Sequence, residues 1–465
     1  MPSPDKFTRI RDLTARFGQE HLLRFWDALS RPDQEKLAFE IEAVDFALVA
    51  RLHKDLVVNP KPVSATEILT PMRGQPWESF PMSKRKAIAG IGLNALKEGR
   101  AAAFLVAGGQ GTRLGHDGPK GTFDIGLPSG KSLFQLQAER LLKLSKDCGK
   151  PVPWYIMTSR ENHASTTAFF EAHKHFGMDP ADVSFFPQGE LPVIDAEGKI
   201  LLAEPGRLAL GPNGNGGCFP ALKSSGALAD MKRRGVEWVF TYGVDNALVR
   251  VCDPGFLGFA IISGFPAASK SVAKTDPAER VGVFCLRSGK PSVLEYSEMT
   301  PEMCGMRDMQ GGLLYGSANI AVHLFRRDFL EAQAETPLPY HVAHKKVPHV
   351  NDEGKTVSPT APNAFKFELF MFDLFPKARG MAIQEISRAD EFAPVKNPST
   401  ESTDTPATAR RLILNLHRRW AASAGFTPEE LKGLEVEVSP LTSFAGEGLR
   451  RPAFRRDPAR PLLLA

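Results

Sequence analysis

From residue 101 the chain alternates short, wholly apolar runs with stretches that are apolar on one side only. The runs AAAFLVA, VPWYIMT, VSFFP and VEWVFTYGV have strand length, and segments such as SLFQLQAERLLKL carry the three-and-four spacing of a helix. Strands apolar on both faces and alternating with helices predict a mostly parallel sheet covered on both sides, so the core is α/β. Further on, VGVFCL, SVLEYSE and GLLYGSANIAVHLF predict added strands that make the sheet mixed. Ahead of this core, residues 5–57 read as helical, with Ser30 placed to cap a helix starting near Pro32. Pro60, Pro62, Pro71, Pro76 and Pro81 make 58–81 a linker without regular structure, followed by a short helix over 83–98. After about 386 the Pro/Thr/Ser-rich EFAPVKNPSTESTDTP gives way to one helix, ATARRLILNLHRRWAASAG, and short strand-like pieces. Three regions are expected: a helical region with linker over 1–95, the α/β core over 96–385 and a small C-terminal domain over 386–465.

Composition narrows the function without deciding it. A net charge of +5 over 465 residues is too small to argue nucleic-acid binding, yet it suits a small polyanionic substrate. There is no apolar run of membrane-spanning length, and MPSPDKFTRIRDL lacks a signal-peptide core, so a cytoplasmic protein without membrane attachment is expected. Cys148, Cys218, Cys252, Cys285 and Cys304 form no C-x-x-C pair, which predicts reduced thiols and no zinc site. Nothing in the sequence sets an oligomeric state.

The chemistry lies in AFLVAGGQGTRLGHDGPKGTFDIG, residues 103–126. Glycines after a buried strand let backbone N–H groups approach a phosphate. A dinucleotide loop would need a helix at once, where this chain has turn residues and Pro119. A P-loop is suggested by GLPSGKS at 126–132, but it is one residue short; it reads more simply as a turn ending at Ser132, which with Gln135 makes a capping box. The remaining reading is nucleotidyl transfer, with Arg113 gripping a departing pyrophosphate and Lys120 placing a point charge near the α-phosphate. Either residue alone would be an ordinary surface charge.

LVAGGQGTRLG with GPKG, followed in order by WYIMTS, FFPQGELP, GNGG, VDN, VGVFC, LEYSE, ANIAVH, FELFMFDLF and APVKN, resembles the UDP-sugar pyrophosphorylase family over about 95–420, the UDP-N-acetylglucosamine pyrophosphorylases in particular. The resemblance implies a GT-A-like, Rossmann-like nucleotidyltransferase core and a reaction of UTP with a sugar 1-phosphate, dependent on Mg²⁺. It implies catalytic roles for Arg113, Lys120 and Lys396 and nucleotide contacts from Val106, Ala107, Gly108, Gly109, Gln188, Gly214, Asn215 and Asp245, with Asp245 also holding the metal. It assigns the sugar to Gly282, Glu295, Tyr296, Asn319, Phe370 and Phe372. Bland readings stand beside these: Asp245 as a helix N-cap with Asn246, Phe370 and Phe372 as alternate residues of a half-buried strand.

The chain departs from the family at Asn213, in PNGNGG, and at Gly316, Ala318 and Val322, around Asn319. These changes leave N-acetylglucosamine 1-phosphate as the first expectation and glucose or galactose 1-phosphate as the alternative, with a non-catalytic UDP-sugar sensor as the outsider. His341, His344 and His349 cluster in sequence without an acidic partner nearby and are not expected to hold a metal, while His173–His175 read as an exposed helix face.

Overall fold

Helices α1 (Pro4–Arg16), α2 (Arg31–Glu42) and α3 (Phe46–Leu52) form where the N-terminal periodicity predicts them. The structure is a computed structural model that describes residues 4–60 and 68–465. At the start of α2, Ser30 Oγ accepts the Asp33 N–H at 3.4 Å and Pro32 occupies the first turn, which needs no donor there. The chain divides into two compact units, one gathering the N-terminal segment with Gln188–Cys218 and Pro337–Asp373, the other holding the rest.

In the first unit the helices bury Ile10, Leu37, Ile41 and Phe46 against Ile194, Ile200 and Phe367. Strands Tyr340–Lys345 and Ala364–Leu369 pair antiparallel. His341 and His344 therefore lie on a strand, where a spacing of three puts them on opposite faces. His341 Nε2 bonds Asp373 Oδ2 at 2.8 Å, and His344 stacks on Phe365 with ring centroids 4.4 Å apart. Among the described residues no three His, Cys, Asp or Glu side chains group to hold a metal ion.

The second unit is built on an 11-stranded mixed sheet. Its strands are β1 (Leu69–Pro71), β2 (Gln75–Pro76), β3 (Ala101–Val106), β4 (Trp154–Thr158), β5 (Val183–Pro187), β6 (Trp238–Gly243), β7 (Ala267–Ala273), β8 (Val283–Arg287), β9 (Lys290–Leu294), β10 (Ser317–Arg326) and β11 (Met381–Glu385). The order is β2-β11-β7-β10-β6-β3-β4-β5, with β8 joining β10, β1 and β9 at the side. Strands β6, β3, β4 and β5 run parallel, whereas β10 runs antiparallel to both β6 and β7. The predicted α/β core and its mixed sheet are thus present.

The proline-rich stretch needs correction. Residues 61–67, including Pro62, lie outside the described residues, but 69–71 and 75–76 are strands β1 and β2 of this sheet. Proline is tolerated because these short strands sit at the margins of the sheet, where a missing N–H breaks no ladder. His173–His175, read as an exposed helix face, instead lie just past the helix His163–Ala172: Lys174 and His175 take left-handed φ values of 51° and 50°, and His173 packs on Phe169 at 4.2 Å between centroids.

Helices α4 (Met82–Lys97), α5 (Leu133–Cys148), α6 (His163–Ala172) and α7 (Pro254–Ser263) cover the sheet. The pair α4 and α7 meets backbone to backbone: a Cβ at Gly92 would collide with the Pro254 carbonyl, and one at Gly258 with the Ile88 carbonyl. Gly92→Ala is expected to lower the unfolding free energy by about 1–3 kcal/mol, since neither helix backbone can yield cheaply. Gly90→Ala in the same helix, with no protein atom within 4 Å of its Cβ, should raise stability by up to about 1 kcal/mol. Urea midpoints of the two variants check this.

The turn at 126–132 ends as the sequence suggests, with Ser132 Oγ accepting the Gln135 N–H at 3.2 Å. The reciprocal half of a capping box is missing, because the Gln135 amide donates to Glu139 Oε1 at 2.9 Å instead. Helix α8 (Pro406–Ser423) carries the chain into a three-stranded sheet of Glu435–Glu437, Leu462–Leu464 and Arg455–Arg456.

Candidate active site

Strand order reverses beside β3: the chain moves from β3 outward to β4 and β5, then returns to place β6 on its other side. The crevice at the carboxyl ends of β3 and β6 is therefore a topological switch point, where open α/β sheets bind ligands. Val106 pairs with Gly243 there, and the Val244 N–H donates to the Val106 carbonyl at 3.2 Å. The glycine loop leaves β3 and Asp245 leaves β6, so both project over one edge.

The loop is held from below. The Ala107 N–H donates to the Met157 carbonyl at 2.8 Å, the Lys120 N–H to the Gly109 carbonyl at 3.1 Å and the Gly111 N–H to the Gly118 carbonyl at 2.8 Å, which folds 109–120 into a narrow return. Gly111 is required by the protein itself, since a Cβ would press into the His116 ring at 2.8 Å. Gly109 is not, having no protein atom within 4 Å of that position. Its bare backbone faces open space, as a ligand contact requires. Only the single 3₁₀ turns Thr112–Leu114 and Lys120–Thr122 come before α5, and no α-helix opens at the loop, so the dinucleotide reading stays excluded.

Four charged side chains from distant parts of the chain gather here. Lys120 Nζ donates to the Val395 carbonyl at 3.2 Å, and Lys396 Nζ lies 3.9 Å from Asp245 Oδ2. Burial pushes the Lys120 ammonium below the ordinary lysine range; Asp245 draws it back up, while Arg113 and Lys396 push it further down. Burial raises the nearby Asp404 carboxyl, an effect that Lys396 opposes. Asp245 does not cap a helix. No helix starts there; Asn246 Oδ1 instead accepts the N–H groups of Leu248 at 3.1 Å and Ala393 at 2.9 Å, and its Nδ2 donates to the Glu391 carbonyl. Through Asn246, and through the Val395 N–H on the Asp245 carbonyl at 2.9 Å, the APVKN segment is locked beside the end of β6. Asn246 and Asp404 carried no recognisable signal as site-builders in the sequence.

Gly282, Glu295 and Asn319 also come together in this unit. The Asn319 N–H donates to the Gly282 carbonyl at 2.8 Å, and a Cβ on Gly282 would sit 2.7 Å from Glu295 Oε1. Tyr296, next in sequence, is 49% exposed. Between the Ser269–His323 and Ser271–Asn319 pairs, β10 carries residues 320–322 against the single Lys270, and Ala321 takes φ 54° in this bulge. Of the departures around Asn319, Ala318 and Val322 are core residues, packed in the same cluster as Val272 and Leu324. A side chain at Gly316 would approach the Leu313 carbonyl at 2.7 Å.

The other predicted residues lie in the first unit. Gln188 is buried; Gly214 takes φ 84°, and Asn215 Oδ1 accepts the Met371 N–H at 2.7 Å. Asn213 wedges between Gly189 and Gly217, either of which would collide with it if it bore a Cβ. Phe370 and Phe372 lie past the end of the Ala364–Leu369 strand, with ring centroids 5.1 Å apart, so the half-buried strand considered for them is not formed.

Residues 87–439 match the family described as UTP--glucose-1-phosphate uridylyltransferase. The chain belongs to this family. It is 42% identical over 462 residues to UDP-N-acetylglucosamine diphosphorylase 2 of Arabidopsis thaliana, covering 95% of this chain and 90% of that one. It is 39% identical over 494 residues to UDP-N-acetylhexosamine pyrophosphorylase-like protein 1 of Homo sapiens, covering 98% and 96%. Among solved structures, the uridine diphosphate N-acetylglucosamine pyrophosphorylase from Trypanosoma brucei superposes with a TM-score of 0.83 at 30% identity over 100% of this chain and 98% of that one. The part matched to the uridylyltransferase family contains Arg113, Lys120, Asp245, Asn319 and Lys396 and leaves α1–α3 outside.

Proposed function

We propose that the protein is a uridylyltransferase that joins UTP and N-acetylglucosamine 1-phosphate into UDP-N-acetylglucosamine, releasing pyrophosphate. The observation that carries this reading is the set of Arg113, Lys120, Asp245 and Lys396 at the β3–β6 crevice; the names of the relatives supply the sugar. A phosphate monoester has its second pKa near ~6, so the attacking oxygen is ionised at neutral pH and needs no general base. The barrier is repulsion between two polyanions, which cations fixed beside the reacting phosphates lower. Lys120 stands over the α-phosphate, Arg113 grips the departing pyrophosphate and Lys396 screens the incoming phosphate. The open backbone at Gly108 and Gly109 receives the nucleotide.

Mg²⁺ fits this site on the chemistry of its donors. With no three-ligand cage among the described residues, a cation held by Asp245 must complete its shell with phosphate oxygens and water, as Mg²⁺ does and Zn²⁺ seldom does. When bound it supplies positive charge to the triphosphate. In the second unit, Glu295 and Asn319 offer groups for sugar hydroxyls. In the first, Gln188 offers an amide that both donates and accepts, and the Phe370–Phe372 pair offers an apolar wall. Confinement of two of the three departures near Asn319 to the core supports retention of the N-acetyl sugar. A cytoplasmic location is supported by five free cysteines and by the lack of any described helix long and apolar enough to cross a membrane.

The test is pyrophosphate release with UTP and Mg²⁺ against N-acetylglucosamine, N-acetylgalactosamine, glucose and galactose 1-phosphates, with CTP, ATP and no-sugar controls. Release with UTP and an N-acetylhexosamine phosphate is expected. Preference for glucose or galactose phosphate would overturn the sugar assignment and keep the chemistry; silence with every sugar would overturn both.

A further inference from the structure

Asn162 stands at the N-cap of α6, where an asparagine ordinarily accepts an N–H of its own first turn, yet its side chain makes no such bond. It is completely buried and engaged elsewhere. Nδ2 donates to the Ala107 carbonyl at 3.0 Å and reaches the Gly109 carbonyl at 3.4 Å. Oδ1 accepts the Ser159 N–H at 2.8 Å, and Ser159 Oγ accepts the Asn162 N–H at 3.2 Å. That ring fixes which end of the amide faces which way: the oxygen must meet the Ser159 donor, so the NH₂ must face the two carbonyls.

A trans peptide carries its C=O and its following N–H on opposite sides. With the Ala107 and Gly109 carbonyls turned toward Asn162, the N–H groups of Gly108 and Gln110 turn the other way. Among the described residues neither has a protein acceptor, and the space over Gly109 is open. Successive free N–H groups on a curved backbone make a cradle for anionic or carbonyl oxygen. We propose that Asn162 is a positioning residue for the nucleotide, holding the 107–110 peptides in the one orientation that presents the Gly108 and Gln110 N–H groups to oxygen atoms of bound UTP. This rests on the uridylyltransferase reading, and it assigns the loop's donor geometry to a side chain from the neighbouring β4–α6 turn.

Asn162→Asp is the decisive variant. It keeps the size and the oxygen for Ser159, but sets a second oxygen against two carbonyls, so the Ala107 carbonyl loses this donor and the Gly109 carbonyl keeps only the Lys120 N–H. Asn162→Thr returns one donor. Backbone amide exchange at 107–111 without ligand, UTP affinity by calorimetry, kcat and KM, and melting temperature are measured together. For Asn162→Asp, exchange of the Ala107 and Gly111 N–H groups, which the Met157 and Gly118 carbonyls protect in the native loop, should accelerate, and the Kd and KM for UTP should rise about tenfold to a hundredfold, with kcat reduced less and Asn162→Thr recovering part of the loss. A lowered melting temperature with unchanged UTP Kd, KM and loop exchange would reduce Asn162 to a structural residue and overturn the proposal. Wild-type protein that binds no UTP would overturn the uridylyltransferase reading, and the nucleotide role with it. The ligand-free exchange still separates that outcome from one in which UTP binds and the loop does not need Asn162.

Discussion

Lys120→Ala should reduce pyrophosphate release by about 10²–10³-fold, the scale for removing one preorganised charge from a developing anion. The structure shows why this lysine is costly to the empty protein and useful to the loaded one. Its hydrogen-bond acceptor is a neutral carbonyl, that of Val395, and two of its charged neighbours are also cations. An added polyanion is the natural complement. Because burial holds its pKa below the ordinary lysine value, its charge is lost as pH rises before a surface lysine would lose its own, so the rate should fall on the alkaline side. Lys120→Arg keeps a charge at every working pH and should remove that alkaline limb while running at a lower rate. The sign for stability is opposite to that of a favourable ion pair. Between the depressed folded pKa and the unfolded one, the unfolded chain binds more protons, so the ligand-free protein gains stability as pH rises through that window. Lys120→Ala should therefore melt no lower than wild type without UTP. Lys131, the lysine of the P-loop reading, makes the contrast. It pairs with Glu139 at 2.6 Å and reaches Ser439 at 3.2 Å, tying α5 to the C-terminal region. Lys131→Ala leaves Glu139 buried with less compensation and should cost about 3 kcal/mol of stability while KM for UTP stays unchanged. Pyrophosphate assays and thermal melts of both variants check the pair; an active Lys120→Ala enzyme would remove Lys120 from the mechanism.

How far the sequence could be read depended on whether a signal was local. AAAFLVA announces β3 because every one of its residues is apolar, and the glycines behind it mark the loop whatever the rest of the chain does. Strands β1 and β2 escaped because three and two residues are too short for a periodicity and carry Pro71 and Pro76 besides. Phe370 and Phe372 continue the alternation of a strand that ends at Leu369, and no residue there marks the stop. The helices of the first unit show in the periodicity, but nothing local marks their joining with 188–218 and 337–373, segments far apart in the chain. Lys120 and Lys396 could be brought together only by resemblance, because 275 residues separate Lys120 from the Val395 carbonyl that receives it. Asn162 was disguised: by position it is an ordinary cap, and only the missing cap bond shows that its amide serves the loop.

Asp245→Asn should lower turnover by about 10²-fold or more and raise the Mg²⁺ concentration for half-maximal rate at least about tenfold. The argument turns on how little this carboxylate does for the fold. Its contact with Lys396 is 3.9 Å long, with side chains 29% and 48% exposed, and a screened pair of that kind contributes less than about 1 kcal/mol. The work of locking β6 to the APVKN segment falls to the Asn246 side chain and to backbone groups, all of which Asp245→Asn leaves in place. A melting temperature within a degree or two of wild type is thus expected beside the large kinetic loss. Asp404 is the second carboxylate within reach of Lys396, but burial already raises its pKa, making it the poorer anion. If Asp404→Asn shifted the Mg²⁺ dependence and Asp245→Asn did not, the metal and phosphate charge would belong to the α8 side of the crevice. If Asp245→Asn alone does so, the carboxylate at the end of β6 is the group around which Lys120, Arg113 and Lys396 are arranged.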